Sequence, residues 1–141
     1  SSDGAAGTGY YAQVRNNLDP TGQLTSASRQ MDVVDWGESS SCSCVGSTCA
    51  QCLTPSPDIT LNGGTVRARY LITRLCPSSG AVATGNACAQ PVSLPVNTNP
   101  DKGTPDPQGL NMPESQAPYY RIIVRTVGGR NTVSFTETIV Q

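Results

Sequence analysis

The residues in this chain most able to do chemistry are its six cysteines. Four of them, Cys42, Cys44, Cys49 and Cys52, fall in the run SSSCSCVGSTCAQC with the spacing C-x-C-x4-C-x2-C. Four thiolates so close together could close a tetrahedral zinc shell. Structural zinc sites usually draw two ligands from each of two separated knuckles, however, whereas here one short run supplies all four. The competing chemistry is a pair of disulfides. Bonding within C-x-C is sterically strained, so Cys42 and Cys44 are each expected to join Cys49 or Cys52, with both pairings open. Cys76 and Cys88 flank a short loop and are expected to staple it, since redox pairs usually sit in C-x-x-C. An even cysteine count in a weakly charged chain points to an oxidising compartment, hence to three disulfides and no metal.

Other chemistry finds little footing. Asp32, Asp35 and Glu38 form the one acidic cluster, and paired carboxylates can hydrolyse glycosides when they flank a cleft. Sugar-stacking side chains are scarce, with aromatics at 5% and Trp36 the single tryptophan. DVVDWGE does not match the D-x-D-x-D-G calcium pattern either. A solvated helix face or loop is the expected role of the three. The chain has no histidine, which removes the commonest general base, the usual zinc nitrogen ligand and the pH switch. No phosphate-binding glycine loop, GxSxG or Cys/His pair is present, so neither an enzyme nor a cofactor is expected. Arg67, Arg69, Arg121 and Arg125 can share one sheet face as a candidate partner-docking patch. The alternative is four solvated arginines, and a net charge of −1 argues against nucleic acid.

The elements that position these residues read mainly as strands. At 141 residues the chain is expected to be a single domain spanning residues 1–141. Charged residues are 13%, about half the usual share, a composition associated with exported proteins. Tyr10–Leu18 reads as a short helix or a strand, Asp19–Gly22 as a turn, and Thr25–Trp36 as a short helix with Ala27, Met31 and Val34 on one face. Thr65–Leu75 reads as a strand in which Val66, Ala68, Tyr70 and Ile72 alternate with Arg67, Arg69, Leu71 and Thr73. Pro77–Pro118 reads as one long loop. Two β-rich segments flank Gly128-Gly129, a strong hairpin signal. With those glycines as a two-residue turn, Val124 faces Val133 and Ile122 faces Phe135, and these four side chains form the buried side.

TVRARYLITRLC (residues 65–76), with Cys88 downstream, resembles the central strand segment of PilX-type type IV minor pilins. PYYRIIVRTVGGRNTVSFTETIV, toward the C-terminus, is similar to their closing hairpin, and Tyr10, Tyr11, Asp35 and Trp36 fit more loosely. The resemblance implies an α+β, mainly β domain: an antiparallel sheet with a C-terminal hairpin and disulfide-stapled loops, packed on a long N-terminal helix. No such helix is present in this sequence, and the expectation is that an export or anchoring segment precedes Ser1. Without it, one apolar sheet face needs another cover. Either Tyr10–Leu18 folds over that face or the chain self-associates through it.

The implied function is structural. Such a protein promotes assembly of the type IV pilus (fimbrium), and with it cell adhesion and twitching motility. Its expected partners are other minor pilins and a pilus-tip adhesin. It is expected at the cell surface, and before assembly in the periplasm, anchored to the inner membrane only through the missing helix. The competing expectation is a free-standing secreted binding module, an adhesin domain or a protease inhibitor presenting the Cys42–Cys52 loop.

Overall fold

The computed structural model describes Asp3 and residues 7–26, 28–37, 49–82, 85–91 and 117–141. Eight strands are found among them: β1 (Tyr10–Tyr11), β2 (Leu18–Asp19), β3 (Asp32–Val34), β4 (Cys52–Leu53), β5 (Ile59–Leu61), β6 (Val66–Arg74), β7 (Tyr120–Val127) and β8 (Val133–Val140). The only helical turns among the described residues are two 3-10 turns, Asn62–Gly64 and Gly129–Asn131. The fold is thus mainly β, and none of the described helices is long and apolar enough to cross a membrane.

Two sheets divide the strands. The larger runs β1-β6-β7-β8, with β5 also paired to β6. Its antiparallel centre sets Arg69 opposite Arg125 and Leu71 opposite Ile123. The smaller is a parallel set, β2-β3-β4, held by pairs such as Asp19 with Val33 and Val34 with Leu53. It packs on the side of the large sheet that carries the odd-numbered residues of β6 and β7. There Leu18, Val34, Trp36 and Leu53 meet Leu71 and Ile123, with Tyr11 against them. Leu71 and Ile123 are 0% and 1% exposed, the deepest large apolar side chains.

The helix expected over Thr25–Trp36 does not form. Ser26 and Arg29 close a tight turn through paired backbone bonds, and the chain then enters β3. The β-branched pair Val33-Val34, buried on both residues, is better suited to a strand than to a marginal isolated helix. Tyr10–Leu18 contributes two strands instead of a cover: β1 lies at the edge of β6, with Tyr10 beside Ile72, and β2 starts the second sheet.

The C-terminal hairpin forms, but its register and buried side differ from expectation. Val127 pairs with Val133, Arg125 with Phe135 and Val124 with Thr136, so Val124 and Val133 lie on opposite faces. Gly128 is extended (φ −94, ψ −171), and the two left-handed positions of the turn are Arg130 (φ 58) and Asn131 (φ 57). The turn thus spans Gly129–Asn131, past Gly128 rather than on the two glycines, and the pairing shifts by an odd number of residues, which turns over every side chain of β8 relative to β7. Ile123 and Val127 are buried, whereas Ile122 and Val124 are half-exposed.

Candidate functional site

β6 and β7 both carry arginine at odd positions, so the pleat brings Arg67, Arg69, Arg121 and Arg125 onto one face, as their alternation suggests. That face is the one the second sheet packs on, so Arg125 is buried and Arg69 and Arg121 are half-buried, while Arg67 stays exposed. The four do not form one stripe. Arg121 is separate: its guanidinium donates two bonds to the Glu137 carboxylate, at 2.8 and 2.9 Å. The bidentate pair holds Glu137 below its ordinary carboxylate range, against a smaller opposing push from burial.

The other three converge. Arg67, Arg69 and Arg125 line a small open pocket with Trp36, Gly37, Asp58, Ala68 and Val127. Arg69 and Arg125 are directly cross-strand, a placement that repels unless something offsets it. Asp58, just before β5, offsets part of it by accepting from Arg69 Nε at 3.1 Å and standing 3.9 Å from Arg67. Arg125 is only 7% exposed. Trp36 forms one wall, its indole N–H donating to the Pro20 carbonyl at 2.8 Å and its ring edge-on to Phe135 at 5.9 Å. Gly37 sits at positive φ (+83), and a β-carbon there would lie 2.9 Å from Arg69 Nη1. A forked, cationic pocket with an aromatic wall suits a carboxylate or another oxyanion.

The acidic cluster disperses. Asp32 is buried on β3, 3.8 Å from the guanidinium of Arg15. Burial raises its pKa above the ordinary 3.8, with Arg15 and Asn17 pulling the other way. It is therefore not the solvated carboxylate expected. Asp35 accepts the Gly37 N–H at 2.9 Å, and Glu38 lies outside the described residues. No group of three or more metal-ligating side chains occurs among the described residues.

The Cys76–Cys88 disulfide is present and buried. Leu75 O accepts from Ala89 N and Ala89 O from Tyr119 N, so the bond anchors this loop between the ends of β6 and β7. Cys49 and Cys52 are disulfide-bonded. Cys42 and Cys44, and with them the pairing in the cluster, lie outside the described residues. Two groups escape the sequence reading. Asp58 belongs to no motif, and only the β5–β6 pairing brings it to the arginines. Arg74 reads as a strand-end arginine, yet it is buried and donates to the Ala12, Ser78 and Gly80 carbonyls. No protein-family model matches the chain, and no curated protein or solved structure matches it.

Proposed function

We propose that this chain is the head domain of a PilX-type type IV minor pilin, acting in pilus assembly with other minor pilins and a tip adhesin. The observation that carries the reading is the second face of the large sheet. Ala68 and Arg74 on this face are buried, but its larger apolar residues Tyr70, Ile72, Ile122 and Val124 are only half-buried, and Ile59 and Leu61 beside them are 43% and 48% exposed. Among the described residues, the core cluster draws nothing from this face. An apolar sheet side of this kind suits a head that packs on a helix supplied from the same polypeptide. The protein acts through binding surfaces and turns over no substrate, and its place is the surface pilus, reached from the periplasm.

Deleting the gene in the cell that encodes it should reduce surface pili. A copy restored without any preceding helix should fail to rescue them. Normal piliation in the deletion strain rejects the assembly role. A second reading, a secreted binding module, is favoured by the Arg67–Arg69–Arg125 pocket beside Trp36. The encoded residues before Ser1 separate the two: about 20 apolar residues retained in the mature protein fit the pilin, and a cleavable secretory signal fits the module.

A further inference from the structure

Strand β8 ends the large sheet, and no strand pairs with its outer edge among the described residues. Its eight residues, VSFTETIV, are all exposed and include no proline, lysine or glycine. Native edge strands usually carry proline, lysine, a bulge or a cover to prevent further pairing. The one charge on β8, Glu137, is neutralised by Arg121 of β7, which lowers the cost of bringing another strand beside it. More than half of the large apolar side chains left exposed among the described residues belong to this strand: Val133, Phe135, Ile139 and Val140.

The hydrogen-bond phase of the edge follows from the hairpin. Gly128 N–H donates to Thr132 O at 2.8 Å, so residues 128 and 132 form a bonded pair. Bonded and non-bonded pairs alternate along an antiparallel ladder. Ser134, Thr136 and Thr138 therefore direct their backbone groups at β7, and Val133, Phe135, Glu137 and Ile139 direct theirs at the open edge.

We infer that β8 pairs antiparallel with β8 of a second copy, about a two-fold axis through Thr136, to give one continuous sheet. In that register Val133 exchanges backbone bonds with Ile139 of the other copy, and Phe135 with Glu137. Both are pairs of outward-directed residues on one face, as an unbroken pleat demands. The valine–isoleucine pairs extend the apolar strip that begins where Phe135 meets Trp36. On the other face Thr136 meets its own counterpart and Ser134 meets Thr138, at the closely spaced positions where hydroxyl pairs stabilise a sheet. Moving the axis to Glu137 would set two like charges opposite each other. Self-complementarity of this kind selects a second copy over a foreign strand, and the proposal is independent of the assembly role.

Sedimentation equilibrium of the full 141-residue chain tests the pairing. The expected result is a concentration-dependent dimer. Ile139→Pro removes an outward N–H, the one kind of proline a sheet edge tolerates, and should leave a folded monomer. Under air oxidation, with oxygen taking the two electrons and protons, Thr136→Cys should join two copies through a disulfide, whereas Ser134→Cys should not. A wild-type chain that stays monomeric at millimolar concentration overturns the proposal and leaves the edge to a foreign strand. So does a folded Ile139→Pro variant that still dimerises. If that variant does not fold, the cysteine pair decides: cross-linking through position 134 rather than 136 refutes the register.

Discussion

At the scale of single residues, the fold depends on polar groups that a sequence reading places on the surface. Asp19 is 1% exposed, and its carboxylate accepts from Thr21 N–H and Oγ and from Leu24 N–H, at 3.1, 2.9 and 2.6 Å. Burial by itself would raise its pKa, but these bonds, with one from the Gly22 backbone, win and hold it below the ordinary 3.8. Replacing Asp19 with Ala orphans several donors at once and should cost about 2–3 kcal/mol in urea denaturation. Gly37 is a second such point. An alanine there meets both the left-handed backbone and the Arg69 guanidinium, so Gly37→Ala should cost about 1–2 kcal/mol. Because Arg69 must move, the same change should weaken any oxyanion held in the arginine pocket, which titration calorimetry with a small dicarboxylate would read.

At the scale of elements, the hairpin and the disulfide loop each make a prediction. Arg130 occupies a left-handed position that an L side chain adopts at a cost. Arg130→Gly should stabilise the chain by about 0.5–1 kcal/mol, and a fall in melting temperature would mean that the turn lies elsewhere. The Cys76–Cys88 bond closes a loop of sequence separation 12 between β6 and β7. Removing it as a double serine variant should cost about 2–4 kcal/mol. Asn86, whose side chain bonds to Ser78 and Ala81, also pins this loop and should preserve part of its shape. The hairpin was legible as a hairpin. Its register was not, because a glycine pair announces a turn without stating which residues take the positive φ angles.

At the scale of the whole molecule, acid should weaken the fold. The sign follows from Asp19 and Glu137, whose folded values lie below the ordinary 3.8 and 4.5. Their contribution is complete above those ordinary values and is lost as pH falls through the folded ones. Asp32 opposes this, since its raised value lets the folded chain take up a proton before the unfolded chain does. Denaturation midpoints measured from about pH 6 down to about pH 3 should therefore fall, and Asp19→Asn should flatten the decline while lowering stability at the upper end. A midpoint that rises steadily with acid would show that Asp32 dominates. Salt should weaken the Glu137 part of the effect, because that pair is exposed.

Local pattern in the amino-acid sequence was enough to determine the mainly β class, the strands around Tyr70 and Ile122, the existence of the last hairpin and the Cys76–Cys88 staple. Alternation of β-branched and polar residues, and two cysteines flanking a loop after a strand, are signals carried by near neighbours. The same alternation put the arginines of β6 and β7 on one face. Whether that face would be open or covered was a matter for the tertiary structure. Both faces of β6 and β7 carry large apolar residues, and pattern alone does not rank Ile122 and Val124 against Ile123 and Val127. The parallel sheet of β2, β3 and β4 settles it by packing Leu18, Val34 and Leu53 on the odd side. Those three strands are two or three residues long, too short for periodicity to register, and parallel pairing joins segments that no turn signal links. Asp58 reached the arginines, and Asp32 was buried beside Arg15, by the same kind of long-range placement, which only the folded chain supplies.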